Sequence, residues 1–442
     1  MFPNPQAAVA LPPQPNLEQY KKLAKDLVKA CKGENPDGLH EWASEWIDKL
    51  VRLSNVEITP GLPVEERRWV EEVTEFATRK LRSAERKCTL ADAQFVIARA
   101  HGFMSWPALV KHIEHLRRKN SPTAQFEAAA DAIVSGKIQI LRRLLDENPD
   151  LVRQRSAREH RATLLHYTSA NGVEGYRQKT PKNIVEIADL LLRSGAEVDA
   201  EADVYGGGCT TLGLAATSVH PEVAGVQEPL LQILLDHGAI IDKPNLAGNA
   251  QSLVIACFAN GRPRAAEFLA TRGAPLNLES AAGIGRIDLV RTFFHSDGSL
   301  KPPAMEKQLQ NAFLWACMYG REDVAMFLLK HGADLLDPAD SGATALHWAA
   351  GGGHAGIVKL LLDRGARLEE VNIWGGTVLE HAGWGFEHDI DGTDFVPVFD
   401  TLLSAGAKIR GSWLAWINKV KIRRVEEKAR VAEVFRRYGA TA

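Results

Sequence analysis

Apolar side chains in this chain recur at three- and four-residue steps, the spacing that lines one face of an α-helix. Leu17, Tyr20, Leu23, Ala24, Leu27 and Val28 form the first such stripe. Trp42, Trp46, Ile47 and Leu50 predict a second helix over His40–Leu53. Pro63 or Val64 opens a third that runs to Leu81, with Glu65 and Glu66 suiting its dipole. Thr89, with Asp92 three residues on, caps a fourth, which Gly102 ends. Ser105-Trp106-Pro107 starts a fifth, with Leu109, Val110, Ile113 and Leu116 on one face and Lys111, Arg117, Arg118 and Lys119 towards its end. Beyond about residue 125 the pattern becomes a recurring unit. Apolar runs such as Leu190-Leu191-Leu192 and Leu234-Leu235 are each closed by Gly-Ala, at Gly195, Gly238, Gly273, Gly332, Gly365 and Gly406. A glycine there can take the left-handed conformation that ends a helix. Trp413–Tyr438 is a last amphipathic segment, with Trp416, Ile417, Val420, Val425, Val431, Val434 and Phe435 available for packing.

The clearest copy of the unit is 341–373. Thr344, Leu346, His347 and Ala349 fit the pattern T-P-L-H-x-A, Gly353 closes a short helix, and Ile357, Val358, Leu360, Leu361 and Leu362 supply a second apolar stripe. Gly365 lies 33 residues after Gly332. On these residues the chain resembles the ankyrin-repeat family. The stretch 90–107 is similar to a helix-turn-helix lead-in that precedes ankyrin arrays in bacterial proteins. The resemblance implies an all-α ankyrin-repeat solenoid with an N-terminal helical domain and loop insertions in three repeats. We divide it into a Pro-rich mobile arm at 1–16, a helical domain at 17–120, and an array at 121–442 ending in a capping helix. It also implies that His166 and His347 bond to backbone in the hairpins, and that a protein partner engages the concave face.

The array departs from its period at identifiable places. Gly238 follows Gly195 by 43 residues and Gly406 follows Gly365 by 41, and the repeat before Gly195 is longer still. Aligned to the regular unit, the extra residues fall between the first and second helix: Val173–Pro181, His220–Val226 and Glu387–Asp394. Insertions at one topological point of a solenoid emerge along one edge and often carry function. Phe126–Leu144 reads as a degenerate first pair. Leu278–Phe294 is a shortened one, since only 59 residues separate Gly273 from Gly332. Tyr205-Gly206-Gly207-Gly208 and Trp374-Gly375-Gly376 stand at hairpin tips. An aromatic ring beside backbone without Cβ atoms suits close approach of a ligand or chain, while the same glycines also serve the positive φ of a tight tip.

Tyr205, Gly206, Gly207, His220, Arg177, Trp374, Gly375 and Trp384 are therefore the candidate partner- or ligand-binding residues. The segment 381–394 concentrates imidazoles and carboxylates. An enzyme or small-ligand binder with a polar pocket of inserted loops is the alternative reading, with His388, Asp389, His381 and Tyr176 as its acid–base candidates. Asp389-x-Asp391-Gly392-x-Asp394 lacks the remaining ligands of a calcium loop, so no metal and no cofactor is expected. Ser218 and Cys209 do not stand in a nucleophile elbow.

Composition limits the rest. With 53 basic against 55 acidic side chains the net charge is −2, which gives no general electrostatic case for nucleic acid or membrane. A DNA contact through the lead-in helices and the basic C-terminal segment is the weakest reading, because Trp106, Leu109 and Ile113 are packing residues. The five scattered cysteines form no C-x-x-C pair, and no leader-like or membrane-length apolar run occurs. The expectation is a cytoplasmic protein with a protein partner, a small molecule remaining the second option.

Overall fold

The computed structural model describes residues 4–12, 14–53, 62–82, 88–118, 120–243, 252–389, 392–420 and 425–440. Of the residues singled out above, Lys119, Ile390, Asp391 and the first part of the basic C-terminal segment at 421–424 lie outside the described residues. So do the side chains at 63–65 and 425. The chain forms two compact units, Met1–Ala250 and Gln251–Ala442.

The first unit begins with the helices Leu17–Lys32, Gly38–Leu53, Leu62–Leu81, Leu90–Ala100 and Trp106–Leu116. Their starts follow from capping chemistry. The Asn16 side chain accepts from Glu18 N, and Thr89 and Asp92 each accept from the other's backbone N–H. The apolar stripes meet in one core that includes Tyr20, Leu27, Leu39, Trp46, Ile47, Phe76, Val96, Ile97, Phe103 and Leu109. Helix pairs follow: Pro122–Val134 with Ile138–Glu147, the 3-10 turn Leu164–Ser169 with Ile184–Arg193, and Thr211–Thr217 with Gln227–Asp236. Before the last of these, Glu201–Ala202 and Cys209–Thr210 form an antiparallel hairpin, with Glu201 opposite Thr210 and Ala202 opposite Cys209. The helical segment and these pairs thus share one compact unit.

The second unit stacks the pairs Leu253–Ala259 with Pro263–Thr271, Leu278–Ile284 with Ile287–Thr292, Glu306–Met318 with Glu322–Lys330, Ala345–Gly351 with Ala355–Leu362, and Val378–His388 with Val396–Ser404. The first helix of each pair is termed inner below. Trp413–Lys419 and Val425–Arg437 close the end, where Trp413 stacks on Phe435 at 4.7 Å and Phe435 packs on Phe399. This covers an apolar edge that the last pair would otherwise leave in water.

Three local devices make the repeats. Each Gly-Ala ends a second helix in the same way: the glycine has φ between 88° and 102°, and the alanine N–H reaches back to the last turn, as Ala366 N does to Leu361 O at 3.0 Å. Each Thr-x-x-His caps a first helix. His166 Nδ1 accepts from Thr163 N at 3.1 Å, and His347 Nδ1 from Thr344 N at 3.2 Å. His166 then donates from Nε2 to Cys209 O in the following hairpin, at 3.3 Å. Side chains at the start of second helices bond to the previous repeat. His354 Nε2 donates to Met318 O at 2.9 Å, Arg321 Nε to Gly283 O at 2.9 Å, and Asn183 Nδ2 to Gly136 O at 2.9 Å.

The inner helices also approach one another closely. A Cβ on Gly352 would overlap Met318 O, one on Gly385 would overlap Gly351 O, and one on Gly351 would strike the His381 ring. Here glycine is required by space rather than by φ.

Candidate functional site

Val173–Pro181 and His220–Val226 lie between the first and second helix of their pair, as the alignment to the regular unit requires, whereas Glu387 and His388 of the third insertion extend the first helix, Val378–His388, by its last two residues. Val173–Pro181 and His220–Val226 belong to the first unit and Glu387–Asp394 to the second.

The first insertion brings charges inside. Glu127, Arg158, Glu174 and Arg177 are all buried. Arg158 donates from Nη1 to Glu127 Oε1 at 2.7 Å, and its Nε lies 2.9 Å from Glu174 Oε1. Arg177 spans Glu127 Oε2 at 2.8 Å and Asp131 Oδ1 at 2.7 Å. Burial alone would raise both glutamates, but Arg158 and Arg177 prevail, holding Glu174 well below the usual carboxylate range and Glu127 down to about 2. The cluster is charged throughout and neutral between its two arginines and two glutamates. Tyr176 completes it by accepting from Arg158 Nη2 at 3.2 Å. Burial pushes its phenol up to about 12, so Tyr176 stays protonated at neutral pH. Arg158 also lies over the Phe103 ring at 5.5 Å, so the cluster ties the helical segment to the first repeats. In this setting Arg177 is an internal tie rather than a displayed ligand group.

Beside the insertion lies the N-terminal arm. Its proline content predicted an extended mobile segment, whereas Ala7, Ala8 and Val9 are 4%, 2% and 2% exposed. Val9 N donates to Ala100 O at 2.8 Å, and His101 Nδ1 donates to Val9 O at 2.8 Å. Burial pulls His101 down to about 4, so the ring is neutral at pH 7. Gln6 reaches the hairpin tip, donating to the Tyr205 hydroxyl, which in turn donates to Asn171 Oδ1 at 2.7 Å. Tyr205 has φ +51°, and Gly206 and Gly207 follow at +99° and +96°. Nothing lies within 4 Å of where their Cβ atoms would be. Those glycines therefore serve the tip's backbone conformation in this chain. His220 is half-buried in the short helix Val219–Val223, and burial lowers its pKa. Gln227 stitches the second insertion by donating to the carbonyls of Ala215, Ala216 and Ser218 at 3.0, 3.2 and 3.1 Å.

In the second unit His381, Trp384 and His388 stand on the helix Val378–His388, Asp389 follows it, and Trp374 and Gly375 stand at the tip before it. His381 is buried among Trp348 at 5.3 Å and Trp384 at 5.9 Å, and Trp384 stacks on His388 at 4.7 Å. His381, Trp384 and His388 follow one another at helical spacing, with the indole between the two imidazoles. His388 Nδ1 donates to Trp384 O at 2.8 Å, and burial lowers His381 to about 4. Asp389 Oδ2 caps a turn, accepting from Gly392 N at 2.7 Å and Thr393 N at 2.9 Å. Trp315, 33 residues before Trp348, stacks with Phe258 at 5.9 Å and Tyr319 at 6.0 Å. Trp384 is 54% exposed and Trp374, at the next tip, 74%. Asn372 Oδ1 holds that tip by accepting from Trp374 N and Gly376 N, both at 3.0 Å, and Gly375 turns it at φ +76°. Among the described residues no three His, Cys, Asp or Glu side chains gather as a metal-binding group, and no helix is long and apolar enough to cross a membrane.

The stacked pairs, the period and the capped hairpins converge with the comparison to known sequences, in which 278–372 match the family described as ankyrin repeats in three copies. Residues 278–372 are ankyrin repeats. The chain is 35% identical over 88 residues to integrin-linked protein kinase homolog pat-4 of Caenorhabditis elegans, a match covering 20% of this chain and 18% of that protein. It is 39% identical over 79 residues to diacylglycerol kinase iota of Mus musculus, covering 17% of this chain and 8% of that protein. It thus spans less than a fifth of either curated relative. Among solved structures, the human ASB11 ankyrin repeat domain matches at 21% identity over 64% of this chain and 99% of that one, with a TM-score of 0.32.

Sequence reasoning singled out Trp384 and Trp374 through the irregular repeat they occupy. It gave no role to Glu127 or Arg158.

Proposed function

We propose that the array is a protein-binding scaffold that engages its partner through the inner-helix face and hairpin tips of the second unit. The supporting observation is the set of partly exposed rings on the first helices of three successive pairs, Trp315 with Tyr319, Trp348, and Trp384 with His388, and the exposed Ile373 and Trp374 at the tip before the last of them. Large aromatic rings left partly in water supply rigid contact area at low entropic cost. Ankyrin repeats generally mediate protein–protein interaction, which agrees with this use. The alternative, a catalytic pocket of inserted loops, draws no support from the contacts its candidates make. Tyr176 is held by Arg158, Asp389 caps a turn, and His388 is bonded to its own helix.

The test is affinity capture with the full chain beside Trp348→Ala and Trp384→Ala, each verified as folded by its melting curve. A central aromatic contact contributes about 2 kcal/mol, so binding of the captured protein should fall roughly 30-fold in either variant. Undiminished binding by the double variant would remove the proposal.

A further inference from the structure

The arm's resting place is built to accept an extended peptide. Both backbone groups of Val9 are matched, its N–H by Ala100 O and its carbonyl by His101 Nδ1. Gln6 O passes where a Cβ on Gly175 would stand, so the insertion has bare backbone at the one point the arm crosses. Gly175 does not need glycine for its own conformation, because its φ is not positive. Ala8 is buried against Gly102, whose Cβ, if present, would lie 3.4 Å from the Ala8 Cβ, in van der Waals contact. The Gln6 carboxamide is read by the Tyr205 hydroxyl and by Asn171 Oδ1, the latter at 3.4 Å. Tyr205 adopts φ +51°, a conformation a tyrosine seldom takes, and there its hydroxyl meets both partners. The occupant itself is slight: two alanines, one valine and one amide contact, flanked by Pro5 and Pro12. Small side chains bury little apolar area, so the arm can be exchanged.

We propose that the surface formed by Ala100–Gly102, Gly175, Asn171 and Tyr205 is a peptide-docking site, that residues 4–12 occupy it in cis, and that a partner segment of the same chemistry takes it by displacing the arm. That chemistry is an extended strand bearing one carboxamide followed by two small residues and a β-branched one. The site belongs to the first unit and the aromatic residues to the second, and neither reading depends on the other. Cis occupancy lowers the affinity for a competitor in proportion to how completely the arm fills the site.

The experiment uses the full-length chain carrying Ala8→Asp, which places a carboxylate in the buried position and releases the arm while leaving the docking surface intact. A fluorescent peptide of residues 4–12 is titrated in by anisotropy, and hydrogen exchange reads the protection of the Val9 amide. The expected result is loss of protection together with saturable peptide binding at least tenfold tighter than to the unsubstituted chain. Adding Gly175→Ala to the Ala8→Asp chain should abolish that binding, and a peptide with leucine in place of Gln6 should bind more weakly. A chain lacking residues 1–13 is the second test, should Ala8→Asp fail to fold. Absence of peptide binding by a folded, arm-released chain would overturn the proposal. Equal binding with and without Gly175→Ala would do so too.

Discussion

Glu174 has no solvent exposure and keeps its charge between Arg158 and Arg177. Such a pair adds little net stability over an apolar substitute, but breaking it strands a buried charge. Glu174→Ala should therefore destabilise the first unit by about 3–5 kcal/mol in urea denaturation, whereas Glu186→Ala on a repeat surface should change it by less than about 0.5 kcal/mol. The buried histidines set a second expectation. His101, His112 and His166 have folded pKa values of about 4 against an ordinary 6.5. A lowered histidine pKa means that the unfolded chain binds the proton first. Its contribution to stability is full above pH 6.5 and is lost as pH falls towards 4. Melting temperatures recorded from pH 7 to pH 4 should fall steeply across that window. His101→Asn, whose amide can still donate to Val9 O, should flatten the fall by about one proton, or roughly 1.4 kcal/mol per pH unit.

The helix pairs obey the same economy six times over. Nothing surrounds a Cβ at Gly365, so Gly365→Ala meets only the backbone strain of φ +90° and should cost about 1–2 kcal/mol. Gly352→Ala has permissible φ but no space, and should cost more; paired thermal melts distinguish the two. These elements were legible in the sequence because their determinants are local. A Gly-Ala after an apolar stripe, a Thr three residues before a His and an Asp three residues after a Thr each act within one turn of chain. What escaped is non-local. Arg177 lies 50 residues from Glu127 in sequence, so its charge read as a surface feature of an inserted loop although it is buried. The arm read as mobile because prolines dominate its composition, while the bare backbone of Gly175 that receives it stands in another element. Trp384 was legible as a candidate because its repeat breaks the period. Trp348 and Trp315 sit in regular repeats, where an aromatic residue passes for packing.

At the level of the whole molecule, repeats contact their neighbours and need a closed end. Trp413, Ile417, Val431, Val434 and Phe435 provide it for the second unit by covering Phe399 and its neighbours. A chain ending at Gly411 should expose that edge and elute as higher oligomers in size-exclusion chromatography, while replacement of the exposed Lys419 by Ala should leave the elution unchanged. The glycines between inner helices carry a further consequence. Because a methyl group on Gly352 or Gly385 would fall inside the neighbouring backbone, each inner helix is shaped to one neighbour rather than to a repeat in general. The regular unit 341–373 is therefore not a movable part. Transplanted beside a repeat bearing alanine in these positions, or duplicated in place, it would meet a surface to which it has no complement. Lengthening or shuffling the array by whole units would require its glycines to change in matched pairs.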